Sequence, residues 1–216
     1  MLKAVIFDWD GVIIDSREAH RRSWDILAEE TKLTLPEGHF ERGFGQTNLQ
    51  IMRTILKWQL DEPTLKQLDA RKGELYRMIL RADGIEPLAG VRELLEEILE
   101  ANIPCIVGTS TSRTNLDLAL ELTGLAPYLS RAVTGAEVKF GKPHPEVFLK
   151  AAEKLGIEPK SCVVIEDTHH GIEAALAGNM KAVAVATTHP IETFPMANLA
   201  VEGMHALTLK RLQALF

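Results

Sequence analysis

Ala4-Val5-Ile6-Phe7-Asp8-Trp9-Asp10-Gly11 is the stretch whose reading decides the fold. Four apolar residues, partly β-branched and without alternation, predict a strand buried on both faces of a parallel sheet. Two aspartates follow at once, and in open α/β sheets ligands sit beyond the carboxyl ends of strands. Gly11 lets the chain turn sharply behind them. Similar apolar runs recur at Ile103–Thr109, Cys162–Glu166 and Lys181–Ala186, with a short last strand at Leu199–Val201. Apolar stripes of helical period fill the gaps: Val91, Leu94, Leu95, Ile98 and Leu99, then Leu116, Leu118, Ala119, Leu120 and Leu122, then Val147, Phe148, Ala151, Ala152 and Leu155. From residue 88 onward this alternation predicts an α/β, Rossmann-like parallel sheet with helices on both faces.

The stretch 16–86 breaks the alternation. It shows no convincing strand and reads as helices near 16–31, 48–58 and 63–81, joined by turns at Pro36-Glu37-Gly38 and Gly43-Phe44-Gly45. The expected organisation is a sheet domain of residues 1–15 and 87–216, with an all-α domain of residues 16–86 inserted after the first strand. The hinges fall at Ile14–Arg17 and Arg81–Leu88.

Composition narrows the function. Of 216 residues, 24 are Lys or Arg and 30 are Asp or Glu, a net charge of −6 that argues against nucleic-acid binding through a basic surface. No apolar run approaches the ~18 residues of a membrane span, and the N-terminus lacks a secretion core, so a cytoplasmic protein is the expectation. Cys105 and Cys162 lie far apart, which excludes a disulfide framework and a thiolate zinc site. Met52, Met78, Met180, Met196 and Met204 follow no binding pattern and read as packing residues.

Four segments carry chemistry. Asp8 and Asp10 can divide labour, one ionised and one protonated. Val107-Gly108-Thr109-Ser110-Thr111-Ser112-Arg113 runs from a strand into hydroxyls and a helix start, a cradle for phosphate. Gly141-Lys142-Pro143-His144-Pro145 fixes one cation between a glycine and two prolines. Val163-Val164-Ile165-Glu166-Asp167 ends another strand in two acids, suited to a hard, oxygen-ligated cation such as Mg²⁺. Singly, each has an ordinary reading as a turn, a cap or a surface lysine; together they place complementary groups at successive strand ends.

The pattern resembles the haloacid dehalogenase superfamily, in the branch with a helical cap after the first strand, over essentially the whole chain. The resemblance implies that Asp8 is the nucleophile and Asp10 the general acid/base. Thr109, with Ser110 and Gly11, would bind phosphate, and Lys142 would be the motif lysine. Mg²⁺ would be held by Asp8, the Asp10 carbonyl and Asp167, with Glu166 often acting through water. Asp10 also sets the chain apart from dehalogenase and phosphonate-cleaving relatives, which lack an acid there. The implied activity is hydrolysis of a small phosphorylated metabolite, a sugar phosphate or similar, through an aspartyl phosphate.

Within that family the chain looks most like β-phosphoglucomutase and its phosphatase neighbours. His20, Trp24 and Lys72 match cap positions near the substrate. Where mutases carry an arginine for a distal phosphate, this sequence has Asn48. A neutral amide cannot make the bidentate grip of a guanidinium, which favours a phosphatase over a mutase, with Arg42, Arg53 and Arg113 as the cations left to substitute. A non-catalytic phosphometabolite binder is disfavoured, because every reactive group is present. The expected partner is a small phosphate ester, with the protein a monomer or weak homodimer.

Overall fold

The structure is a computed structural model that describes residues 1–216. Its six-stranded sheet has the order β3 (Ala132–Val133), β2 (Cys105–Gly108), β1 (Ala4–Phe7), β4 (Cys162–Glu166), β5 (Lys181–Val185), β6 (Leu199–Val201). All pairings are parallel, and Phe7 aligns with Val107 on one side and Ile165 on the other. The carboxyl ends therefore share one edge. The strand order reverses between β1 and β4, and this crevice is where α/β sheets bind ligands.

The strands are apolar throughout because both faces are covered. Val5 and Phe7 point into one cluster with Val163, Ile165, Val183 and Val185. Over that face lie α5 (Val91–Glu100), α6 (Arg113–Thr123) and α9 (Leu209–Gln213). Ala4 and Ile6 point into the other with Val164, Ala182 and Ala184. There α7 (Glu146–Leu155) and α8 (His169–Ala177) contribute Ala151, Ala152, Ala174 and Ala175. The small side chains on this face let helices and sheet approach closely.

Between β1 and α5 the chain is helical: α1 (Arg17–Thr31), α2 (His39–Gly43), α3 (Asn48–Gln50) continuing into a π-turn over Ile51–Ile55, and α4 (Glu62–Asp83). Asp61 caps α4 by accepting the Thr64 N–H at 2.9 Å. This segment has its own hydrophobic cluster, with Trp24, Leu27, Phe40, Phe44, Met52, Trp58, Leu65 and Leu75. The far end of α4 leaves it: Tyr76, Ile79 and Leu80 pack into the β1–β4–β5 cluster. The two connections run side by side, with Ile14 bridged to Pro87 and the Leu88 N–H donating to the Ile13 carbonyl at 2.9 Å.

The structure adds three features the sequence patterns did not suggest. β3 is only two residues long, too short for any periodicity. α2 lies between the two expected turns and takes Gly43 into its last turn. The helix expected to reach residue 58 ends by Ile55, and Lys57 adopts a left-handed φ of 53° that a helix cannot contain. Met78 and Met196, expected to be packed, are 53% and 62% exposed. No helix is long and apolar enough to cross a membrane.

Leu27 is fully buried in the helical segment's cluster beside Trp24 and Trp58. Leu27→Ala is expected to cost about 2–5 kcal/mol, read as a lower urea midpoint by tryptophan fluorescence at unchanged slope.

Candidate active site

Asp8 follows β1 directly and is buried. Lys142 Nζ lies 2.9 Å from Asp8 Oδ1, out of line for a hydrogen bond but close enough for an ion pair. The same ammonium donates to Glu166 Oε1 at 2.6 Å. Glu166 ends β4, and its Oε2 accepts the N–H groups of Asp167 and Thr168 at 2.8 and 2.7 Å and the Thr168 hydroxyl at 2.9 Å. Asp167 Oδ2 accepts from the Thr188 hydroxyl, beyond β5. One ligand oxygen from each of Asp8, Glu166 and Asp167 falls within 4.8 Å of the others.

Three carboxylates are thus buried together, and two of them, Asp8 and Glu166, share one ammonium. Burial pushes the Asp8 carboxyl up to about 8; Lys142 works against this, while Glu166 and Asp10 add to it. Burial, Glu166 and then Asp8 push Asp167 well above the carboxylate range. Burial also acts to raise Glu166, but Lys142 and the Thr168 bonds hold it below its usual value. For Lys142, burial is outweighed by Asp8 and Glu166, and the ammonium stays charged above the usual range. Asp8 Oδ1 and Asp167 Oδ1 have no hydrogen-bond donor although both are buried. Oxygen-only ligands, more acids than cations, an Asp167 oxygen with no partner and an Asp8 oxygen held only by an ion pair fit a hard divalent cation. Glu166 spends both oxygens on protein donors, so it holds Lys142 and the strand end more than it offers a free ligand. Gly11, at φ 80°, is required here, because a Cβ would meet Asp167 Oδ2 at 1.9 Å.

Asp10 faces upward. Ser16 Oγ donates to its Oδ1 at 2.5 Å, and His20 Nε2, from α1, lies 3.3 Å from the same oxygen. Lys72, from α4, is 1% exposed and reaches His20 Nδ1 at 2.5 Å. An ammonium only donates and a carboxylate only accepts, so the partners assign a neutral His20 protonated at Nε2. Burial and then Lys72 lower the His20 pKa, consistent with that tautomer. Burial brings Lys72 down to about 7 against the pull of Asp10 and Asp69. For Asp10 itself, burial is outweighed by His20 and by hydrogen bonds from His20, Ser16 and Thr111, which leave the carboxyl below its usual value. Tyr76 stacks on His20 at 4.1 Å, and Trp24 lies 5.3 Å from the Lys72 ammonium.

A cavity of about 300 Å³ joins these groups, lined by Asp8, Asp10, Thr109 and Ser110 below and by His20, Trp24, Asn48 and Lys72 above. Lys142, Glu166, Asp167 and Gly11 lie beneath that lining. Thr109 is buried, and its hydroxyl accepts the Thr111 N–H at 3.1 Å. One expectation needs correction. Arg113, read as a substrate-facing cation, is exposed on the first turn of α6 and pairs with Asp117 at 2.8 Å, outside the cavity lining. Ser110 lines the cavity beside Thr109, and its hydroxyl donates to the Gly45 carbonyl of the helical segment at 2.7 Å. Four further residues complete the site: Ser16, Thr188, Tyr76 and Asp69. Of these only Ser16, at the start of α1, and Thr188, just past β5, had a sequence signal.

A parallel sheet with acids and a threonine just past its central strand ends, and a buried lysine brought against them by the loop before α7, defines a class of phosphate-handling hydrolases. The family model for haloacid dehalogenase-like hydrolases matches residues 2–179, and the chain belongs to that family. Among relatives, it is 33% identical over 213 residues to the chloroplastic 5-amino-6-(5-phospho-D-ribitylamino)uracil phosphatase of Arabidopsis thaliana, covering 97% of this chain but only 57% of that protein. It is 32% identical over 181 residues to the fructose-1-phosphate phosphatase of Escherichia coli (strain K12), covering 84% of this chain and 95% of the relative. The crystal structure of β-phosphoglucomutase from Clostridium difficile superposes with a TM-score of 0.89 at 27% identity, covering 100% of this chain and 97% of the other. The protein is therefore an enzyme of a family that contains phosphatases and phosphosugar mutases.

The raised Asp8 pKa has a stability consequence. A folded-state value of about 8 against an ordinary 3.8 means that the metal-free fold holds a proton the unfolded chain has lost. That contribution is complete below the lower value and disappears as pH rises through the upper one. Thermal unfolding of chelator-treated protein should show lower stability at pH 8 than at pH 5, and MgCl₂ should raise the melting temperature more at pH 8. An equal Mg²⁺ effect at both would contradict the assignment.

Proposed function

We propose that the protein is a Mg²⁺-dependent phosphomonoesterase that hydrolyses a small phosphorylated metabolite of the sugar-phosphate class through an aspartyl phosphate on Asp8. The observation that carries this reading is the stacking of two chemically distinct aspartates: Asp8 against Lys142 below, Asp10 against His20 and Ser16 above. Asp8, Asp167 and the Asp10 carbonyl would hold Mg²⁺, which supplies charge neutralisation for the bound phosphate and the nucleophile.

Attack by a carboxylate on a phosphate ester is opposed by like charge. Lys142, fixed by Glu166 beneath Asp8, offsets that repulsion. Thr109 and the backbone around it orient the phosphate in line with Asp8. As Asp8 bonds to phosphorus, the ester P–O bond breaks and the leaving oxygen takes a proton from Asp10. Asp10 is a carboxylate in the resting arrangement, and the negative charge of the incoming ester is what favours its protonation. Asp10 then takes a proton from the water that hydrolyses the aspartyl phosphate, which restores Asp8 and releases phosphate.

Residues 16–86 act as a cap over this chemistry, moving relative to residues 1–15 and 87–216 at the paired connections near Ile14 and Pro87. A lid suits a reaction whose first step excludes water and whose second admits it. The mutase reading draws support from the likeness to β-phosphoglucomutase. It requires a grip on both ends of a bisphosphate, and Asn48 is neutral and already paired with Asp69.

Asp8→Asn keeps the shape of the side chain and removes the attacking charge. Phosphate release from p-nitrophenyl phosphate with Mg²⁺ should fall by about three orders of magnitude or more, with unchanged circular dichroism. Conversion of β-glucose 1-phosphate to the 6-phosphate, primed by a bisphosphate and faster than phosphate release, would replace the hydrolase by the mutase.

A further inference from the structure

We infer that Asn48 and Asp69 form a pair at the outer wall of the cleft that selects substrates whose end remote from the phosphate is uncharged and rich in O–H or N–H donors, such as a phosphorylated polyol, and rejects a second phosphate. This rests on the phosphatase reading above. Both residues line the cavity that holds Asp8 and Asp10. Asp69 lies on α4 one turn before Lys72, and Tyr76, Ile79 and Leu80 carry the helix the other way, into the cluster on the sheet. Asp69 is thus on the side of Lys72 away from the phosphate-binding floor.

The hydrogen bonding of the pair is determined by atom type. Asn48 Nδ2 donates to Asp69 Oδ1 at 2.8 Å, and a carboxylate only accepts, so the amide orientation is settled. Asp69 Oδ2 and Asn48 Oδ1 remain as acceptors without a protein donor. A wall of free acceptors, one of them charged, is complementary to hydroxyl or amine hydrogens. It repels phosphate oxygens, which are acceptors with negative charge themselves.

The nearby cations do not reverse this. The Lys72 ammonium is buried on His20. Arg53, although it lines the cavity, closes on both Glu62 oxygens at 2.6 and 2.7 Å. Lys139 also lines the cavity, but from the core loop rather than from α3 or α4, and its exposed ammonium lies 5.2 Å from the centre of the Phe140 ring. The wall that α3 and α4 contribute therefore carries a free carboxylate oxygen and no free guanidinium.

The test compares kcat/KM for ribitol 5-phosphate, fructose 1,6-bisphosphate and p-nitrophenyl phosphate in the Mg²⁺-loaded protein, for the native sequence and for Asp69→Ala and Asp69→Asn. The native protein should prefer ribitol 5-phosphate to the bisphosphate by about tenfold or more. Asp69→Ala should lower the ratio of ribitol 5-phosphate to p-nitrophenyl phosphate by about 10- to 100-fold, the usual cost of a lost hydrogen bond to a charged group. Asp69→Asn is isosteric and guards against a folding defect; it should raise the ratio of bisphosphate to monophosphate. A native preference for the bisphosphate, or ratios unchanged in both variants while p-nitrophenyl phosphate is hydrolysed, would overturn the assignment of Asp69 alone. No phosphate release from any of the three probes would overturn the phosphatase reading and this inference with it.

Discussion

Everything at the catalytic edge depends on one crowded arrangement: three carboxylates buried at neighbouring strand ends with a single ammonium between them. With all three ionised, such a cluster would have too much negative charge to be a stable resting salt bridge, since removing each charge from water costs several kcal/mol before any pairing is counted. Without a divalent cation the Asp8 and Asp167 carboxyls are pushed toward their protonated forms. The fold supports it by rigidity. Asp8 and Glu166 end adjacent strands, and backbone N–H groups of Asp167 and Thr168 hold Glu166 from below. The charge imbalance that would trouble a structural core makes this one receptive to a cation and to a phosphoryl group.

Above that floor, Asp10 links two parts of the chain. Its carboxylate takes hydrogen bonds from Ser16 and His20, and His20 in turn takes one from Lys72, 52 residues further on. The aromatic rings of Trp24 and Tyr76 flank the Lys72 ammonium, and Tyr76 stacks on His20. A second link runs from Ser110 to the Gly45 carbonyl, and Gly45 also lies against Thr168, which caps α8 beside Asp167. The position of the helical segment is thereby read by both the threonine loop and the acid loop.

Much of this was legible in the chain because the decisive signals are local. An apolar run ending in Asp-x-Asp-Gly states strand, edge and chemistry within eight residues, and Glu166-Asp167 after Cys162–Ile165 repeats the message. Helix stripes such as Val91–Leu95–Ile98 face the sheet as their period requires. What was not legible are contacts between residues of common type, far apart in sequence. Nothing marks Ser110 as the partner of a backbone carbonyl 65 residues earlier, or Asp69 as the partner of Asn48. Arg113 misled because a helix's first turn exposes most of its circumference, and an acid at i+4 was nearer than the cleft. β3 is too short to have a pattern at all.

The helical segment packs around its own apolar cluster, while the groups beneath the cleft are pinned by strand register and by loops of the sheet. Selection therefore meets two nearly independent problems in one chain. Side chains on the outer part of the roof, such as Asn48, can drift, be exchanged or be redesigned at little risk to the bond-breaking apparatus, whereas His20 and Lys72 are tied to Asp10 and cannot. A lineage built this way can keep one reaction and change its diet, and an engineer can treat the outer roof as the editable surface and leave the floor and the His20–Lys72 link untouched.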